Sequence, residues 1–208
     1  MEIKNRLGRK RRPLSPRFYE TGHVTDIAHA LLGKLLVTDF DKKRTTGLII
    51  ETEAYSGEGD MACHSHSGKR TARTEIMFGP GGYAYVYLCY GIHSLFNIIT
   101  NVKEKADAVL IRAIEPVDGI ETMCQRRGHS QLKKQTCAGP GCVTQALGIT
   151  RDHYGLRLDG KELRIEDAGV VIEEPEIHES PRIGVEYAGE DALLPWRYTI
   201  KGSPWVSK

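Results

Sequence analysis

The sequence predicts a single mixed α+β domain, and three observations carry that prediction. Its 208 residues with 40% apolar content suffice for one sizeable core and fall short of two. Several stretches alternate apolar and polar residues with the period of two that belongs to strands, most clearly at 46–54 and 83–90. Between them lie only a few short helical patterns with cap residues, and no repeat, low-complexity tract or composition shift divides the chain.

In chain order, Pro13 and Pro16 close a basic segment, residues 1–17, read as a flexible tail, and the domain is expected from 18 to 208. Thr25 or Asp26 is placed to cap a helix through Ile27, Ala30, Leu31 and Leu32, with Gly33 as its stop. Strands follow at 34–38 and 46–54. Alternation in the second puts Leu48, Ile50, Thr52 and Ala54 on one face and Glu51, Glu53 and Tyr55 on the other. Residues 57–82, rich in Gly, Ser, Arg and Lys, read as a long functional loop with a short helical turn near 73–78. The runs 83–90 and 95–100 form a β-hairpin with its tip at 90–94, and a strand at 108–113 carries Arg112. Asp118 is placed to cap a helix through Ile120, Met123 and Arg127, and 140–147 reads as another, ended by Gly148. Short strands interrupted by Pro175, Pro181 and Pro195 complete the chain.

Composition narrows the function classes. No apolar run reaches the ~20 residues that cross a bilayer, and the basic start has no apolar stretch behind it, so a soluble, unsecreted protein without a membrane partner is expected. Five cysteines without a compact pairing pattern fit a reducing compartment. Cys63, His64 and His66, even with Cys137 and Cys142, lack the usual CxxC or HxxxH spacing, so neither a metal nor a cofactor is expected. Residues 1–17 hold seven Lys/Arg (Lys4, Arg6, Arg9, Lys10, Arg11, Arg12, Arg17) against Glu2, which leaves the remainder at net −4. Eleven acidic and three basic residues between Asp159 and Asp191 would repel a polyanion, so any nucleic-acid contact falls to the tail or the middle of the chain. Charge pattern alone equally fits a solvated terminus.

Five of the nine tyrosines lie between positions 55 and 90. A buried phenol needs a partner for its hydroxyl where Phe would not, so a tyrosine cluster beside a carboxylate suggests a site for a planar ligand, with ordinary cross-strand packing as the plain alternative. Glu53, with His64 and Arg112 in reach, suits a reaction through an oxocarbenium-like transition state, which means N- or O-glycosidic cleavage. An exposed strand carboxylate and a solvated histidine are the plain alternatives, whereas a guanidinium inside an apolar strand requires an acceptor. An O-glycosidase using Glu51 and Glu53 is disfavoured: residues two apart on a strand have Cα atoms ~6.5–7 Å apart and point the same way, so they do not flank a substrate. The tip residues Tyr90, Ile92 and His93 present apolar surface that suits a wedge between base pairs, or else a loop folded back on the core.

At these residues the sequence resembles the alkyladenine (3-methyladenine) DNA glycosylase family. The resemblance rests on Glu51-Thr-Glu-Ala-Tyr55, Ala62-Cys-His64, Met77-Phe-Gly-Pro-Gly81, Tyr85-Val-Tyr87 with Tyr90-Gly91, Asn97, Arg112-Ala-Ile-Glu-Pro116, Gly119-Ile-Glu-Thr-Met123 and Lys201-Gly-Ser-Pro-Trp-Val-Ser207, in order from about Phe18 to Ser207. It implies a curved antiparallel sheet with flanking helices and a protruding, DNA-intercalating hairpin. It further implies Glu53 as general base, Arg112 and the Ile183 carbonyl as contacts to the attacking water, and Tyr55 and His64 on one side of a flipped base with Tyr87 on the other. Asn97 matches the residue that crowds the guanine amine, and Tyr90 the intercalating tyrosine, flanked by Ile92 where relatives often carry Met. The implied activity is monofunctional excision of alkylated or deaminated purines from double-stranded DNA, by a monomer, in the cytoplasm beside the nucleoid of a bacterium or in a eukaryotic nucleus. The alternative is a non-catalytic binder of distorted DNA.

Overall fold

The computed structural model describes residues 3–8 and 10–208. Among them, nine strands form one curled, entirely antiparallel sheet, accompanied by four short α-helices. The strands are β1 (Arg12–Pro13), β2 (Leu35–Phe40), β3 (Lys43–Tyr55), β4 (Ala84–Cys89), β5 (His93–Thr100), β6 (Asp107–Asp118), β7 (Leu163–Asp167), β8 (Ile177–Ser180) and β9 (Arg197–Ile200). The helices are α1 (Pro16–Glu20), α2 (Val24–Ala30), α3 (Ile120–Arg126) and α4 (Pro140–Leu147). No helix of the described residues is long and apolar enough to cross a membrane.

The strand order is β1-β7-β2-β3-β6-β5-β4, with β9 and then β8 branching from β3. The branch arises because β2 pairs with Lys43 to Leu48 and β9 with Glu51 to Glu53 along the same edge of β3. Two offset irregularities in the β3/β6 ladder lie at this changeover. Ile49 and Glu51 face the adjacent residues Ile114 and Ala113, which leaves Ile50 as an extra residue in β3. Glu51 and Thr52 face Ala113 and Ile111, which leaves Arg112 as an extra residue in β6. Such bulges bend a strand and re-aim a side chain. Leu48, Ile49 and Ile50 are therefore all buried, where strict alternation expected Ile49 to face away from its neighbours, and Arg112 lies with the two glutamates.

The sheet has two apolar faces. The main core takes Ala84 and Val86, Phe96 and Ile98, and Val109, Ile111 and Ala113, packed on the helices. The opposite face carries Tyr85, Ile99 and Ala108 and is covered by Cys63, Met77 and Phe78 of the long loop. A period of two thus delivers Tyr83, Tyr85 and Tyr87 to the second face, with Asn97, Leu110, Glu53 and Tyr55 beside them.

Local departures from expectation have local causes. Helix α2 begins at Val24, because His23 rather than Thr25 or Asp26 occupies the cap: its backbone N–H donates to Asp26 at 3.0 Å and its ring accepts from the Thr25 N–H at 3.4 Å. Asp118 does not cap α3. It ends β6, which runs on beyond Ala113 because Ile114, Glu115 and Pro116 keep pairing with β3, and the cap is Gly119 at φ +73°. A side chain there would meet the Arg44 carbonyl oxygen at 2.3 Å.

The basic N-terminal segment, expected as a flexible tail, has partners. Ile3 and Leu14 are buried, β1 pairs with β7, the Gly8 N–H donates to the Ala168 carbonyl at 2.8 Å, and Arg6 and Arg11 bond Glu176 and Asp118. Arg9 and Glu2 lie outside the described residues. In strand order β1 stands at the opposite end from β4. Leu14→Ala is expected to lower the unfolding free energy by about 2 kcal/mol, read from the denaturant midpoint; an unchanged midpoint would mean the segment does not pack in solution.

Candidate active site

One register row sets the site. Tyr85, Asn97, Leu110, Glu53 and Arg197 pair in succession across β4, β5, β6, β3 and β9. Against the first three opens a cavity of about 220 Å³, whose walls also include Tyr55, His64, Tyr87 and Arg112. That is below the roughly 300–1,000 Å³ of sites for drug-sized ligands and suits one planar ring system.

Glu53 is fully buried, and the three residues that bond it, Tyr55, Arg112 and Ile183, line the cavity. Its Oε1 accepts from the Ile183 N–H at 2.8 Å, and its Oε2 accepts from the Tyr55 hydroxyl at 2.8 Å and from Arg112 Nη1 at 3.3 Å. Burial raises its pKa, against the opposing pull of Arg112, the Ile183 amide and Tyr55. A carboxylate that is buried, hydrogen-bonded and above its ordinary range is suited to take a proton from water. The resemblance assigns the Ile183 carbonyl to that water; the contact in the structure is the Ile183 amide, which holds the carboxylate.

Arg112 divides its charge between two carboxylates, with Nε 3.2 Å from Glu51 Oε1. Glu51 also accepts from Arg197 Nε at 2.7 Å and from the Ser207 N–H and hydroxyl at 2.6 and 2.8 Å. Glu51 therefore ties the C-terminal segment to the site, and the two glutamates sit on the same side of one strand with a guanidinium between them.

The aromatic wall is built of bonded rings. His64 Nδ1 lies 2.8 Å from the Tyr85 hydroxyl, and its ring meets Tyr87 edge to face with centroids 4.7 Å apart. Burial, then Arg73 and Lys69, pull the His64 pKa down to about 4, so the ring is neutral at pH 7. Asn97 is buried and donates from Nδ2 to the Tyr85 carbonyl at 3.3 Å. Because the His64 and Tyr87 rings touch, a base does not fit between those two unless one turns aside.

At the hairpin tip, Cys89 to Ile92 form a turn closed by the Ile92 N–H and the Cys89 carbonyl at 3.2 Å, with Tyr90 and Gly91 at φ +51° and +73°. Positive φ is costly for a bulky residue and characterises the tightest hairpin turns. Tyr90 is 92% and Ile92 73% exposed, while the His93 ring leans over Gly141 of α4.

Sequence reasoning missed Arg182. Its guanidinium is buried, bonded to both oxygens of Asp60 and to the Ala54 and Asp191 carbonyls, and lies 4.8 Å from the Tyr55 ring centroid. Its adjacency to Ile183 was the available signal. Tyr85, to which the resemblance assigns no role, is the partner of His64. Among the described residues the five cysteines are free, and no three His, Cys, Asp or Glu side chains gather as a metal site.

A family model described as methylpurine-DNA glycosylase matches residues 17–204. The chain belongs to the methylpurine-DNA glycosylase family. It is 45% identical over 202 residues to a protein of Bacillus thuringiensis (strain Al Hakam), covering 93% of this chain and 98% of the relative. A protein of Methanocella arvoryzae is 44% identical over 197 residues, covering 94% and 96%. Both are named as candidate 3-methyladenine DNA glycosylases. Membership makes the chain an enzyme of the class that hydrolyses N-glycosyl bonds, with DNA as its substrate. The family match spans the whole site row, from Glu53 to Arg197.

Proposed function

We propose that this methylpurine-DNA glycosylase flips an alkylated or deaminated purine out of duplex DNA into the tyrosine-walled cavity and hydrolyses its N-glycosidic bond with a water activated by Glu53. The observation that carries the reading is the buried Glu53 carboxylate, held by three residues of the cavity wall, Arg112, Tyr55 and Ile183. The water oxygen attacks C1′ of the deoxyribose, the C1′–N bond breaks with its electron pair going to the purine, and Glu53 takes the proton of the water. Arg112 holds that water beside the carboxylate. A cationic purine such as 3-methyladenine leaves as a neutral base, and the tyrosine faces attract it while it is charged. A neutral His64 adds no repulsion to such a ring.

No lysine is among the residues lining the cavity, which supports attack by water rather than an amine and hence excision without strand cleavage. Tyr90 serves as the wedge that holds the duplex open, with Ile92 beside it. Tyr55 and His64 face one side of the base, and Tyr87 turns from its contact with His64 to cover the other. Asn97, fixed by its bond to the Tyr85 carbonyl, crowds the exocyclic amine of normal guanine. The enzyme acts as a monomer.

A duplex carrying one 3-methyladenine, 7-methylguanine, hypoxanthine or ethenoadenine is incubated with enzyme and then heated in alkali. Breakage at the lesion only after the alkali step, with no adduct trapped by borohydride, is the expected result. Intact strands with all four lesions, despite tight binding, would instead favour a non-catalytic binder of distorted DNA.

A further inference from the structure

Sharing Tyr87 with the base cavity, a second groove of about 510 Å³ is bordered by Arg73, Leu88, Arg151 and Tyr154. We propose that this groove is a phosphate site, in which Arg73 and Arg151 clamp one phosphodiester of the DNA strand that carries the extruded nucleotide. The inference rests on the glycosylase reading of the neighbouring cavity.

Both arginines are exposed, and among the described residues neither is ion-paired. The carboxylates next to them in the chain are engaged elsewhere: Glu75 accepts from Arg70 at 3.3 Å, and Asp152 from the Thr150 hydroxyl at 3.2 Å. Two unneutralised guanidiniums bordering one concave surface favour an anion, and a phosphodiester offers acceptor oxygens that match their donor forks.

The two cations are held to one frame. The Tyr154 hydroxyl donates to the Arg73 carbonyl at 3.3 Å and accepts from the Ile76 N–H at 3.2 Å, while the Tyr154 backbone N–H donates to the Arg151 carbonyl at 3.0 Å. The Arg73 guanidinium rests 5.6 Å from the Tyr87 ring centroid. Both loops are thus ordered before any ligand arrives, which lowers the entropic cost of binding.

Position supplies the rest. Tyr87 is the wall shared by the base cavity and the groove. Base and phosphate hang on the same sugar, so a nucleotide whose base lies against one side of Tyr87 carries its phosphate over the strand toward the other. β4 is the terminal strand of the sheet order among the described residues, and beyond its first residue, Ala84, which bonds Gly155 and Leu156, no strand of theirs pairs with that edge. Arg73 is also among the charges that hold His64 neutral, so a phosphate at Arg73 would weaken that influence.

The test is duplex binding by fluorescence anisotropy across a salt series, on lesion-bearing and undamaged duplexes, for the native enzyme, the Arg73→Gln/Arg151→Gln double variant and the Arg73→Lys/Arg151→Lys double variant. The Gln pair is expected to lose about tenfold in affinity or more on both duplexes, and the slope of log affinity against log salt to become shallower by about 1. The Lys pair should restore most of the slope, an outcome that general damage to the fold would not give. A Gln pair with the native slope and an unchanged melting temperature overturns the proposal. Should the native enzyme excise no methylated purine, the parent reading fails by itself, and the salt slopes still report on the groove.

Discussion

Replacing Glu53 with glutamine is expected to lower single-turnover excision of 7-methylguanine by about 10²–10⁴-fold, the range associated with a positioned general base, while lesion binding persists. The amide is nearly the same size and can still accept from the Ile183 N–H, so the cavity keeps its shape and loses only its proton acceptor. Excision within a few fold of the native rate would remove Glu53 from the mechanism. The native pH profile gives a second measure. On the proposed mechanism Glu53 acts deprotonated, and burial raises its pKa, so activity should fall on acidification at a higher pH than for an exposed carboxylate.

The same shift has a consequence for stability. Because the folded state binds the Glu53 proton more tightly than the unfolded chain does, this group makes stability decline as pH rises from the ordinary glutamate value through the raised one. Melting temperatures of the native enzyme and Glu53→Gln across that window should therefore converge toward acid, with the native protein losing relative stability toward neutral pH. A parallel pair of curves would show that the carboxylate titrates at its ordinary value.

Arg182→Ala is expected to cost about 3–5 kcal/mol of unfolding free energy, because it leaves Asp60 buried without its partner. Asp60 also accepts from the Ser56 and Ala62 amides, so its stranded charge lies in the loop that carries His64. Activity should fall as well. The segment that supplies the Ile183 amide to Glu53 loses its anchor, and Tyr55 loses the cation packed on its ring. Denaturant unfolding and single-turnover excision at 10 °C separate the two effects. A variant as stable as the native enzyme would show that solvent reaches Asp60.

How much of this was legible in advance follows from the range of the forces involved. The period of two in 83–90 and 46–54 placed Tyr85, Tyr87, Glu51, Glu53 and Tyr55 correctly by face, because side-chain direction in a strand is a local property. The α4 boundaries followed from Pro140 and Gly148, whose backbone preferences act within a residue or two. The contacts of the N-terminal segment were not legible, because its basic composition hides Ile3 and Leu14, which are buried in a core assembled from distant segments.

The site residues divide along the same line. Glu53, Tyr55, His64, Tyr87, Asn97, Tyr90 and Arg112 were named from motifs, yet nothing in their order indicated that Tyr85, Asn97, Leu110 and Glu53 would stand opposite one another across four strands. Register is a property of paired strands, set by turns and bulges that act jointly on segments far apart in the chain. Arg182 escaped notice for a related reason: it becomes a buried counterion only when the loop around Asp60 and the segment before β9 are folded together.

The residues alone therefore determined the strands, the faces and the chemical inventory of an acid, a cation and a set of phenols. Tertiary structure decided which of these meet. It placed Arg112 between two glutamates through a pair of bulges, drove the Glu53 pKa upward by burial, and left two arginines unneutralised beside the groove that shares Tyr87. Desolvation and charge pairing depend on three-dimensional surroundings, and those surroundings exist only once the sheet has closed over the long loop.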